Sequence, residues 1–275
     1  MGCKELLWGV WLTVKTLGPI VLIREVIRRL TGVGYTYRGI PIRTNTDFGV
    51  LLNVKHRYDI RRVGNQIVVS TEYGQFAVGL DDLFLLAVLG DPLEEMYAVD
   101  VKDRVVVDVG AYIGDTTLFY VSRGARRVYA FEPVEKYFKY LDENVKRNGA
   151  VDKVVVNNYG LWFEDETIGI EYRYIGTGLF PGSDMALKVK NLGDVLSEIA
   201  SVEGRIDLVK MDCEGCEYAL LTTPCEVVRL ARQYIVEIHG APAPIVNHMS
   251  KCGYDAKLKV GFTDLVNVYR FTLRG

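Results

Sequence analysis

The pattern of apolar and polar positions changes character twice along the chain. Residues 6–14 (LLWGVWLTV) and 17–23 (LGPIVLI) are apolar, Lys15 interrupts them, and Arg24, Arg28 and Arg29 close the segment with charge. Neither run approaches the roughly 20 residues a membrane-spanning helix needs, so no transmembrane helix is expected. Residues 1–30 instead read as an amphipathic helical segment. It either lies in a membrane interface, with Trp8 and Trp11 towards one end and the arginines towards the other, or packs on the body of the protein or a second subunit, which is the simpler expectation. Residues 31–98 hold short β-rich pieces (YTYRGIPIRT, VLLNV, QIVVSTEYGQFAV) punctuated by Gly, Asn and Asp, then the apolar stretch DDLFLLAVLG. They predict a β-rich N-terminal extension or cap with no chemistry marked by spacing.

From about residue 99 strands alternate with helices. RVVVDV, RVYAF, KVVVNN, IDLVKM, YIVEIH and VNVYRFT read as strands, and the stretch after Pro133 is the clearest helix, with Val134, Tyr137, Phe138, Leu141 and Val145 at helical spacing and a stop at Asn148-Gly149. Such alternation predicts an α/β fold with a mostly parallel sheet covered on both faces.

Composition adds little to this picture but removes some classes. The 275 residues are 49% hydrophobic, with a formal net charge of -2, enough for a packed core. The Arg pairs 28-29, 61-62 and 126-127 are scattered, so no nucleic-acid partner is expected. Five cysteines without a dense framework and no signal-peptide pattern favour a cytoplasmic protein, peripheral to a membrane only if residues 1–30 bind one.

Candidate chemistry begins at DVGAYIGDTT. Asp108 closes a buried strand, Gly110 and Gly114 make a turn, and Thr116 opens a helix, at the end of the sheet where open α/β folds bind ligands. Glu132, in VYAFEP, ends the next strand 24 residues on, where an acid can accept both hydroxyls of a ribose. The turn lacks the Gly-x-Gly-x-x-Gly cradle of a dinucleotide site, and Asp108 and Asp115 at either end would repel a pyrophosphate. The pattern suits an adenosine cofactor that is cationic and has no phosphate, S-adenosylmethionine.

The same residues resemble the FkbM-type S-adenosylmethionine-dependent methyltransferases. The resemblance covers about residues 92–240 and rests on DVGAYIGDTTLFY, VYAFEPVEKYFKYLDENVKRNG, the NNYGLW segment and, most specifically, IDLVKMDCEGCEYALL. It implies a Rossmann-like seven-stranded sheet whose last strand is antiparallel. It also implies O-methylation of a hydroxyl on a sugar or a polyketide-like secondary metabolite, to which the tryptophans and basic end of residues 1–30 add a glycolipid acceptor. By position, Asp108, Gly110 and Gly114 would line the cofactor turn, Glu132 would hold the ribose, Asp115 or Thr116 would meet the methionine end, and Asn158 and Tyr159 would contact adenine, with Asp212 nearby.

An alcohol needs its proton removed before it attacks, so a base or a metal is expected beside the acceptor. Candidates are Asp212, Glu214 and Glu217 in MDCEGCE and Glu237 and His239 in IVEIHG, at the ends of two strands expected to be neighbours. His239 is the preferred general base, with Asp212 or Glu214 orienting it. Lys210 and Asp212 could equally be a structural ion pair and Glu217 a helix cap. Asp212, Glu214 and His239 could instead bind Mg²⁺ or Mn²⁺, although no metal is predicted. Cys213 and Cys216 form a C-x-x-C without the second pair a zinc site needs and are expected to be small apolar fillers, with a disulfide between them as the alternative. The rival readings are an NAD-dependent oxidoreductase and a non-catalytic or membrane-associated protein of the same fold.

Overall fold

The computed structural model describes residues 3–171, 180–181, 185–263 and 265–275. The chain divides into two compact units, Met1–Asp91 and Pro92–Gly275. The boundary lies a few residues before the expected one, and residues 1–31 belong to the same unit as the β-rich pieces.

The first unit opens with helices α1 (Cys3–Leu17) and α2 (Pro19–Thr31). Gly18, at φ 91°, separates them, and Pro19 starts α2 where its missing N–H costs nothing. A two-stranded ribbon follows, β1 (Tyr35–Tyr37) against β2 (Ile40–Ile42). Helix α3 (Asn45–Arg57) starts in a capping box, in which Thr44 and Asp47 satisfy each other's backbone N–H groups. Strands β3 (Asp59–Val63), β4 (Gln66–Ser70) and β5 (Gln75–Gly79) form an antiparallel sheet. The expected apolar stretch becomes a 3₁₀ helix, Leu83–Gly90, with Leu83, Leu85, Leu86 and Leu89 buried.

The second unit is built on a seven-stranded sheet. In chain order its elements are α4 (Leu93–Tyr97), β6 (Val105–Val109), α5 (Asp115–Ser122), β7 (Arg127–Phe131), α6 (Glu135–Arg147) and β8 (Val154–Asn157). Strands β9 (Gly160–Trp162), β10 (Glu166–Glu171), β11 (Phe180–Pro181) and β12 (Met185–Asn191) come next. Helix α7 (Leu192–Glu203), β13 (Leu208–Met211), a 3₁₀ helix (Cys216–Leu221), α8 (Cys225–Val228), β14 (Gln233–His239), α9 (Ala243–Lys251), β15 (Tyr254–Thr263) and β16 (Val266–Leu273) complete it. The strand order is β15-β16-β14-β13-β6-β7-β8. β14, β13, β6, β7 and β8 are mutually parallel, and β16 pairs antiparallel with both of its neighbours. This is the expected Rossmann-like sheet with its last strand reversed.

Burial explains the central strands. Every residue of β6 and β13 is buried, which is the signature of a parallel sheet covered on both faces. On one face Val107, Val109, Val209 and Val236 pack with Leu192, Leu196 and Ile199 of α7 and with Ile245 and Met249 of α9. α6 follows its apolar stripe, burying Leu141 and Val145, and stops at Asn148 before Gly149 at φ 62°. β9, β10, β11 and β12 form a separate four-stranded sheet between β8 and α7. Its existence and that of β15, an alternation of Tyr, Asp, Lys and Leu facing solvent on most positions, lie outside what the apolar pattern predicts.

Candidate active site

The carboxyl ends of β6, β7, β8, β13 and β14 lie side by side, because these strands are adjacent and parallel. All the sequence-predicted site residues sit at or just beyond these ends.

At β6, Asp108 is fully buried. It accepts hydrogen bonds from the hydroxyls of Thr116 (2.9 Å) and Thr117 (2.6 Å) and lies 3.2 Å from Lys210 Nζ. Asp108 therefore fixes the turn from beneath, and the Thr116 hydroxyl is engaged there as well. Gly110 (φ 77°) is required by the neighbouring strand end: a Cβ at this position would lie 1.8 Å from the Asp212 carbonyl oxygen. Gly114 (φ 95°) leads into α5, where a Cβ would press on Leu141 at 3.1 Å. At both glycines the space a Cβ would need is taken by the chain itself, so their geometry answers to close packing within the fold rather than to a ligand. Asp115 opens α5 and is buried; burial pushes its carboxyl up to about 7, against the opposing charge of Lys210.

At β7, Glu132 is buried, and its carboxylate accepts the backbone N–H groups of Val134 (2.8 Å) and Tyr112 (3.0 Å) on separate oxygens. Burial pushes it up to about 8, only partly offset by those two N–H groups. As a carboxylate, each oxygen keeps one lone pair, an acceptor set that the two donating hydroxyls of a ribose diol match. Asn158, beyond β8, donates to the carbonyls of Glu132 (3.0 Å) and Pro133 (3.3 Å), so it braces the Glu132 loop. Tyr159 leans on Phe131, with ring centroids 5.4 Å apart, and Lys190 Nζ lies over the Tyr159 ring, 4.5 Å from its centroid.

At β13 and β14 the structure gathers an acidic cluster around one imidazole. His239 Nε2 lies 3.5 Å from Glu214 and 3.6 Å from Glu237, and Nδ1 lies 3.5 Å from Glu217. Burial by itself would lower the imidazole, but Glu217, Glu237 and Glu214 outweigh it and push it up to about 11. Glu217 is fully buried and is held by the backbone N–H of Gly215 (2.7 Å) and of His239 (2.8 Å). It clasps the turn after β13 to the end of β14, the structural role left open for it. Glu214 stands at φ 57°, an uncommon position for a residue with a Cβ. Burial pushes its carboxyl up to about 7 against the charge of His239, and its Oε2 is buried without a hydrogen-bond partner.

Tyr97, at the end of α4, is the site residue that sequence reasoning missed. Its hydroxyl lies 2.9 Å from Asp212 and 2.8 Å from Glu237. A phenol has one hydrogen, so the second link needs a proton on a carboxyl. Asp212 is raised by burial despite Lys210, whereas Glu237, also buried, is held low by its bonds to His239 and Tyr97. Of the two carboxyls, Asp212 is the one inclined towards its neutral form, and the Tyr97 hydroxyl donates to Glu237. Asp212, Glu237 and His239 also place one ligand atom each within 4.8 Å of one another.

One expectation is corrected here. Cys213 and Cys216 are not fillers: the turn through Glu214 (φ 57°) and Gly215 (φ 118°) folds back so that their Cα atoms are 5.5 Å apart and their sulfurs are bonded. A second disulfide joins Cys225 to Cys252. His239, enclosed by three carboxylates, is favoured in its protonated form.

Residues 108–256, more than half of the chain, match the methyltransferase FkbM domain. The chain belongs to the FkbM methyltransferase family. Membership carries the coarse assignment, an S-adenosylmethionine-dependent methyltransferase, and sets aside the oxidoreductase alternative. No curated protein is detectably similar to this FkbM methyltransferase. Among solved structures it is similar to an uncharacterized protein of Listeria monocytogenes (13% identity, 66% of each chain covered, TM-score 0.45). It is also similar to precorrin-6y C5,15-methyltransferase of Geobacter metallireducens (14%, 66% of this chain and 85% of that one, 0.38) and to TYW2 of M. jannaschii in complex with AdoMet (15%, 78% and 85%, 0.41). At such identities and scores the family assignment rests on the matched domain alone. Among the described residues no helix is long and apolar enough to cross a membrane.

Proposed function

We propose that this FkbM methyltransferase methylates a hydroxyl oxygen of a sugar, glycolipid or secondary-metabolite acceptor, with Glu214 as the general base. The observation that carries this reading is the cluster of Asp212, Glu214, Glu237 and His239 beside the β6 turn, where Gly110 packs on the Asp212 carbonyl.

When bound, S-adenosylmethionine supplies a methyl group made electrophilic by its sulfonium. Glu132 would hold the ribose, with Asn158 bracing its loop and Tyr159 near the adenine. Asp115 and the Asp108–Lys210 pair set the field beneath the turn. Glu214 takes the acceptor proton: its carboxyl is poised near neutral pH, and its buried Oε2, 3.5 Å from His239 Nε2, accepts no hydrogen bond. His239 stays cationic and keeps Glu214 ionised to a lower pH than burial alone would allow. Asp212 and Tyr97 fix Glu237 against the imidazole. The roles expected of His239 and Glu214 are therefore exchanged.

Methyl transfer from labelled donor across a hydroxylated acceptor panel, followed as a function of pH, tests both levels. Glu214→Gln should lower turnover by about a hundredfold or more at every pH. His239→Gln should move the acidic limb of the profile to higher pH, because its cation no longer favours the Glu214 carboxylate, and turnover should recover in alkali. Loss of turnover in His239→Gln at all pH values, with Glu214→Gln active, would return the base to His239.

A further inference from the structure

The first unit carries a feature the methyltransferase chemistry does not use. On α2, Ile20, Ile23, Ile27 and Leu30 recur three or four residues apart and form one stripe, yet Ile23 is 60% and Leu30 82% exposed. On α1, Trp8 is 61% and Trp11 54% exposed. The opposite side of α2 is the buried one: Val21 faces inward, and Glu25 is sealed there with Arg28 at 2.7 Å. The two helices thus turn their apolar faces to solvent, the reverse of a surface helix packed on a core.

Charge selects the occupant. Between residues 6 and 46 the sequence holds six basic residues and a single acid, in a chain whose net charge is -2. That acid, Glu25, is 2% exposed, whereas Lys15, Arg24 and Arg29 stand exposed beside the apolar stripe. Lys15 lies over the Trp11 ring at 4.6 Å. A symmetric dimer through this face would set each basic flank against its own copy. An anionic bilayer meets the same arrangement with attraction, apolar contacts into the acyl boundary and tryptophans at headgroup depth. We infer that α1 and α2 seat this protein on an anionic membrane surface, the apolar stripe in the interface and Lys15, Arg24 and Arg29 on the headgroups.

The full chain is sedimented with phosphatidylcholine vesicles prepared with and without phosphatidylserine, and its mass in solution is measured by sedimentation velocity. Binding to the phosphatidylserine vesicles is expected, weakening as salt is raised. The double variant Lys15→Gln/Arg24→Gln should bind about tenfold or more weakly. Ile23→Ser/Ile27→Ser should abolish binding without lowering the melting temperature, since both positions are exposed. Absence of vesicle binding, equal binding to neutral vesicles, or a dimer that Ile23→Ser/Ile27→Ser dissociates and vesicles leave intact would each overturn the inference.

Discussion

At the scale of single residues, Glu132 links burial to ligand choice. Free, its carboxyl is pushed up to about 8 and is mostly protonated at neutral pH; ribose hydroxyls donate best to the ionised form. Cofactor binding should therefore release close to one proton at about pH 7, and affinity should rise with pH until about pH 8. Titration calorimetry with S-adenosylhomocysteine in buffers of different ionisation enthalpy measures the release directly, and Glu132→Gln should remove it. An enthalpy independent of buffer in the parent chain would show that Glu132 keeps its proton or does not meet the ribose. Glu132, Asp108 and the two glycines were legible in the sequence because strand ends and turns are spaced by local rules. The causes were not. Gly110 answers to the Asp212 carbonyl, about a hundred residues further along, and the charge on His239 depends on Glu237 two residues before it on β14 and on Glu214 and Glu217 more than twenty residues earlier, after β13. No periodicity encodes that.

At the scale of elements, the central strands announced themselves by their valines, while β15 and the β9–β12 sheet did not, being polar on the faces that meet solvent. Helix α4 is the sharper case. Its five residues belong by sequence to an unmarked connection, yet they deliver Tyr97 into the middle of the site. The Cys225–Cys252 disulfide ties α8, before β14, to the end of α9, after it. Closing that loop should stabilise the chain by about 3 kcal/mol on loop-entropy grounds. Cys225→Ser should lower the denaturation midpoint accordingly, and non-reducing digestion of the parent should yield the two peptides linked. If they separate without reductant, or if the variant unfolds at the parent's midpoint, the bond does not contribute.

At the scale of the whole molecule, the site groups other than Glu237 shift upward, and this fixes how stability responds to pH between the ordinary carboxylate range and alkali. Asp115, Glu132 and Glu214 are all raised by burial, to about 7, 8 and 7. Each folded carboxyl therefore keeps its proton over a range where the unfolded chain has lost it, so stability falls as pH rises from the ordinary carboxylate range to these values. His239, raised to about 11, contributes fully below its ordinary value near 6.5 and loses that contribution as pH rises towards 11. The groups held low, Glu25, Glu203 and Glu237, act below the ordinary carboxylate range. Between roughly pH 5 and pH 8, then, the resolved site shifts pull the same way, and the ligand-free chain should melt at a higher temperature near pH 6 than near pH 8. Glu132→Gln and His239→Gln should each flatten the slope. Saturating S-adenosylhomocysteine should flatten it too, because the ligand makes ionisation of Glu132 favourable at the pH where the free site resists it. A melting temperature that climbs with pH across this window would mean that the acids of the site are ionised without their ligand, and that the binding energy of the cofactor is not spent on charging Glu132.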